Sequence, residues 1–149
     1  MAVSKALLRL IRVRGIEEER RRMALETASQ KLRNLEEARD TALGMDRQGR
    51  ELTMKSVESG ELADRISGLV ETAAGRSQAR LLAPRIEASE ADRLRLQQEF
   101  LEKRTERRQA EMLVEEMQAL DGVAENRRSQ QALDDWYRSR RFNAKQDAE

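Results

Sequence analysis

Apolar residues recur along this chain at helical spacing. Leu25, Ala28, Leu32, Leu35 and Ala42 advance by threes and fours, with one polar gap at Arg39. That spacing puts them on one stripe of an α-helix, at the a and d positions of a coiled-coil seam. Leu7, Leu8, Ile11 and Ile16 form a second apolar patch upstream. Between the patches, Glu17 to Arg22 is an unbroken charged run, acidic first and then basic. In a helix this run forms i,i+3 and i,i+4 pairs with Glu on the N-terminal side, so it reads as a solvated face. The pattern predicts a first helix over about residues 4–57.

Glycine collects in the next stretch. Gly44, Gly49, Gly60, Gly68 and Gly75 are five of the seven glycines. Each weakens a helix by about 1 kcal/mol relative to Ala, so a turn is expected here. Ser59-Gly60 is the preferred corner, within residues 58–61, and Ser59 can cap the second helix. Leu62, Ile66, Leu69 and Ala73 then resume helical spacing. The stretch from Gly75 to Pro84 is a competing corner, because proline costs a helix interior about 3 kcal/mol.

The second helix is expected over about residues 61–141. Leu96, Phe100, Ala110, Val114, Met117 and Ala124 share a stripe, and Leu94, Leu101, Leu113 and Leu120 widen it. Lys103 and Arg107 interrupt the stripe, but their stems can lie along a seam while the charges stay wet. Residues 143–149 read as a polar, frayed tail. Two long helices and one corner give an all-α fold, a long antiparallel two-helix coiled-coil hairpin that forms a single domain over 1–149. Each arm would be roughly 75 to 120 Å long.

Composition supports helices over a thick core. Ala, Glu, Leu, Lys and Arg make up 86 of the 149 residues, above the half that marks long helices and coiled coils. Cysteine and histidine are absent, which excludes a disulfide framework, thiolate zinc sites and His-dependent nucleophilic catalysis. The most apolar stretch near the start, Ala6 to Val13, contains Arg9 and Arg12 and is far short of the about 20 residues a membrane span needs. The expected location is cytoplasmic, without membrane insertion.

Charge adds polarity to this picture. The net charge is only +1, yet residues 1–22 and 127–145 each carry +4, while residues 51–75 carry −3. In such a hairpin the two termini meet, so one end is basic and the bend is acidic. Such a molecule can be steered end-first into a charged hole.

Catalytic chemistry finds little footing. No Gly-Lys-Ser or Gly-Lys-Thr loop is present, and a two-helix arrangement offers no dry pocket to shift a pKa or fix ligands. The chain is read as a non-enzyme with no cofactor, no metal and no small-molecule ligand. Nucleic acid ranks below protein as a partner, because acidic residues match the arginines along most of the length and aromatics for base stacking are scarce. Trp136, Tyr137 and Phe142 cluster near the C-terminus among Arg138, Arg140 and Arg141. Trp136 either closes the seam against Leu7 to Ile11 or anchors a partner, as Trp, Tyr and Arg do at binding hot spots.

Several stretches together resemble the FliJ and YscO proteins, the central stalks of type III export systems. They are Leu7 to Arg14 with the charged run after it; Ser59-Gly60 followed by Leu62, Ile66, Leu69 and Val70; and Ala124-Glu125-Asn126-Arg127 leading into Leu133 to Arg138. The resemblance covers nearly the whole chain. It implies a stalk that stands in the pore of the hexameric export ATPase, binds the cytoplasmic domain of the large export gate protein and in some systems handles export chaperones. It also implies that Leu62, Ile66, Leu69 and Val70 form a partner contact near the bend, although the aromatics common there in the family are missing. Leu7, Ile11, Arg12, Arg14, Trp136, Tyr137, Arg138 and Arg140 are the expected contacts at the basic end. Injectisome and flagellar systems both remain open. The alternatives are a basic-ended scaffold that binds nucleic acid and a chaperone for one secreted substrate.

Overall fold

The computed structural model describes residues 4–146, with side-chain environments through Phe142. It contains two helices that pack against each other, α1 (Lys5–Ser59) and α2 (Leu62–Gln146). No strand occurs among the described residues. Ser4 opens α1: its Oγ accepts from the Ala6 amide at 3.2 Å and its carbonyl accepts from the Leu7 amide at 2.9 Å. These bonds satisfy amides that a helix start otherwise leaves unpartnered.

The chain reverses at Gly60, whose φ of 75° lies in the left-handed region that only glycine enters freely. The Gly60 amide still reaches the Ser56 carbonyl at 2.9 Å, closing α1. Gly75 to Pro84 is uninterrupted helix. Pro84 is exposed, between the more buried Leu82 and Ile86, so the carbonyl deprived of its donor can turn to water. At the far end, helix continues through residues 143–146, where sequence suggested fraying. Residues 147–149 lie outside the described residues.

Burial follows a strict heptad rhythm on both helices. On α1 it runs Leu7, Ile11, Arg14, Glu18, Arg21, Leu25, Ala28, Leu32, Leu35, Arg39, Ala42, Asp46, Gly49, Thr53 and Ser56. All of these except Arg21 are buried or half-buried. On α2 it runs from Gly68 through Thr72, Gly75, Ala79, Leu82, Ile86, Ser89, Arg93, Leu96, Phe100, Lys103, Arg107 and Ala110 to Val114. The steps of four and three hold one face of each helix toward its partner.

Contacts divide the chain into two compact units. One is Glu18–Glu102, where partner numbers fall on α2 as they rise on α1. Arg21 pairs with Glu99 at 2.7 Å, Asp46 with Arg76 at 3.3 Å, and Thr53 lies over Gly68. Toward the turn its seam is built from small residues, with Ala42 fully buried and Ser56 only 1% exposed. The backbones therefore approach closely: a Cβ on Gly49 would lie 2.5 Å from the Gly68 carbonyl oxygen, and one on Gly75 would lie 2.5 Å from the Ala42 carbonyl oxygen. Hydroxyls in this seam bond to carbonyls of their own helix, Thr53 to Gly49 and Thr72 to Gly68, both at 2.8 Å. Among the described residues, no buried side-chain polar atom is left without a partner. The seam can therefore hold polar residues at little cost.

The other unit is Met1–Glu17 with Lys103–Glu149. Arg14 pairs with Glu106, and Lys103 reaches Glu17 at 3.7 Å. Ala110 and Val114 are buried, while Leu7 and Ile11 are half-buried. Counting back from Arg14 opposite Glu106, the first residue of α1, Lys5, falls level with Glu115. Beyond that level α2 has no partner helix among the described residues. From Glu115 to Phe142 every residue except Asp121 is exposed. This overhang continues to Gln146 and is roughly 45 Å long.

The overhang corrects three expectations. The far ends of the two helices do not meet, because α2 has 85 residues and α1 has 55. Trp136 does not close the seam against Leu7 to Ile11, for it lies 22 positions beyond Val114, the last buried residue of α2 among the described side chains. The expected stripe on α2 fails likewise at Met117 and Ala124, which are both exposed.

Candidate functional site

Two exposed surfaces stand out, one in each unit. The first is at the turn. Leu62, Ile66, Leu69 and Ala73 advance by four, three and four, so they share one face of α2. Their spacing alone suggests the resumed seam. The structure places the seam instead at Gly68, Thr72 and Gly75 and leaves Leu62, Ile66, Leu69 and Val70 on the outside, with Ile66 54% exposed. Small residues let the helices pack closely, so no large side chain is needed between them. Met54 and Val57 on α1 are exposed as well, and the sequence pattern did not single them out. Their signal was the small-residue heptad Gly49, Thr53, Ser56, which assigns the seam to other positions.

The turn is acidic. Glu51, Glu58, Glu61, Asp64 and Glu71 form no ion pair among the described residues. The Glu61 carboxyl is raised above its ordinary pKa, first by a hydrogen bond shared with Asp64 and then by the repulsion of its charge. An ionised carboxylate beside another disfavours its own charge.

The second surface is the overhang. Leu133, Trp136, Tyr137 and Arg140 occupy i, i+3, i+4 and i+7, one face of a helix. The Trp136 and Tyr137 rings meet edge to face at 5.0 Å, and the Arg140 guanidinium sits 5.1 Å over the indole. This contact holds the indole in place while leaving it 52% exposed. Arg127, Arg128, Arg138 and Arg141 have no ion pair among the described residues.

The remaining residues of the expected basic-end contact are placed differently. Leu7, Ile11 and Arg14 lie in the seam of their own unit, Arg14 bound to Glu106, while Arg12 is exposed. The overhang therefore separates Trp136, Tyr137, Arg138 and Arg140 from the start of α1.

Other features offer less. Surface indentations are shallow, as between Lys31, Leu35, Arg85 and Asp92. Among the described residues, no group of three or more acidic side chains is arranged to hold a metal ion. No helix among them is long and apolar enough to cross a membrane. Comparison with known protein families, with characterised proteins and with solved structures returned no match.

Proposed function

We propose that the chain is a non-enzymatic stalk of a type III export apparatus, an antiparallel two-helix coiled coil of the FliJ and YscO kind that works at the cytoplasmic face of the machine. In this reading the overhang and the start of α1 stand in the pore of the hexameric export ATPase. The acidic turn meets the cytoplasmic domain of the large gate protein through Leu62, Ile66, Leu69 and Val70. The observation that carries the reading is the separate exposure of apolar residues at the turn and along the overhang, where the described chain itself covers neither. A protein that acts by contact needs such anchors, and aromatic residues with arginine are the strongest of them.

The experiment is a pull-down from native lysate at moderate salt, with bound proteins identified by mass spectrometry. Recovery of the export ATPase or the gate protein is the expected result. Recovery of nucleic acid and ribosomal proteins alone, lost at higher salt, contradicts it. The exposed arginines around Trp136 favour that nucleic-acid scaffold as the second reading. Recovery of one small secreted protein would indicate the chaperone role.

A further inference from the structure

The two bare surfaces are complementary. The turn offers an apolar stripe, Leu62, Ile66, Leu69 and Ala73, with carboxylates around it that no cation among the described residues neutralises. The overhang offers an apolar stripe of similar kind, Leu133, Trp136 and Tyr137, with arginines that no carboxylate among the described residues neutralises. Both stripes are exposed and helical, so one can cross the other as one amphipathic helix lies on another. We propose that the overhang of one copy docks on the turn of a second copy, giving head-to-tail self-association.

Charge selects this pairing over the symmetric ones. Residues 51–75 around the turn carry −3, and residues 127–145, the distal part of the overhang that bears Trp136, carry +4. Turn on turn and overhang on overhang both oppose like charges, which steers association away from them. Turn on overhang joins opposite charges and covers apolar area on both sides. Such an interface is heterologous, so a docked pair still has one free turn and one free overhang, and growth continues unless a ring closes. Head-to-tail docking stands independently of the stalk reading.

The test uses purified, nuclease-treated full-length chain in sedimentation velocity at increasing protein concentration. A turn variant carries Ile66→Gln and Leu69→Gln; an overhang variant carries Arg138→Glu and Arg140→Glu. All four positions are exposed, and circular dichroism checks that helix content is unchanged. The wild-type mass is expected to rise with concentration and to fall with added salt. Trp136 is the sole tryptophan, so its emission should shift to the blue as it is covered. Each variant alone should associate at least about tenfold more weakly. An equimolar mixture of the two retains one native contact and should form a dimer and nothing larger. The proposal is overturned if the wild type stays monomeric throughout or if either variant alone associates like the wild type.

Discussion

Gly49 and Gly68 face each other across the two helices so closely that neither has room for a methyl group. A Cβ on Gly49 would lie 2.5 Å from the Gly68 carbonyl oxygen, and one on Gly68 would lie 2.6 Å from the Gly49 carbonyl oxygen. Glycine in a helix interior ordinarily weakens it, and replacement by alanine stabilises by about 1 kcal/mol. Here the sign should reverse. Gly49→Ala and Gly68→Ala are expected to destabilise by about 1 to 3 kcal/mol through forced separation of the backbones. Gly44→Ala and Gly122→Ala meet nothing within 4 Å and should stabilise. Thermal and urea unfolding of the four variants decides this, and a uniform gain across all four would refute the close seam.

Asp46 occupies a seam position, 6% exposed, and is held by Arg50 at 2.6 Å and Arg76 at 3.3 Å. The hydrogen bond from Arg50 is the main reason its carboxyl lies below the usual range, and burial opposes this only in part. A carboxyl with a lowered folded pKa stabilises fully above its unfolded value of about 4, and that stability is lost as pH falls through the folded value. Asp46→Asn should therefore lower Tm at pH 7, and the gap from the wild type should close as acid protonates Asp46. A gap that stays constant with pH would contradict the assignment.

At the turn the sign is opposite. Glu61 is raised by Asp64, so the pair destabilises at neutral pH and the penalty eases as pH falls into the carboxylate range. Glu61→Gln should slightly raise Tm at pH 7 and have no effect in acid. A loss of stability at pH 7 would show that Glu61 has a partner the carboxylate needs.

Hydrogen exchange separates the paired helix from the bare one. Amides from Ala42 to Ser56, in the small-residue seam, should be the slowest to exchange. Those from Leu120 to Phe142 should exchange much faster, because a single helix without a packed face is marginal in water. Equal protection in the two stretches would mean that something covers the overhang.

Leu25, Ala28, Leu32 and Leu35 revealed the first helix and its seam in the sequence because large apolar residues mark a buried face directly. Near the turn this signal inverts. Asp46, Gly49, Thr53 and Ser56 keep the heptad spacing, but glycine and hydroxyl residues look like turn formers until a second backbone is placed against them. The large residues Leu62, Ile66 and Leu69 then drew the seam to the outer face. Gly60 was legible because a reversal needs positive φ. The overhang was not legible, since the length difference depends on where the turn falls and the exposed stripe at Leu133, Trp136 and Tyr137 has the same spacing as a buried one. The candidate contacts at Trp136, Tyr137, Arg138 and Arg140 were visible as composition, and their detachment from Leu7 and Ile11 was not.

The most direct measurement is binding of the purified chain to the hexameric export ATPase and to the gate protein's cytoplasmic domain, each assembled from the same cell. Wild-type chain is predicted to bind both. Trp136→Ala should weaken the ATPase complex at least about tenfold and spare the gate, and Ile66→Gln with Leu69→Gln should do the reverse. A chain that is helical by circular dichroism yet binds neither partner would contradict the stalk reading.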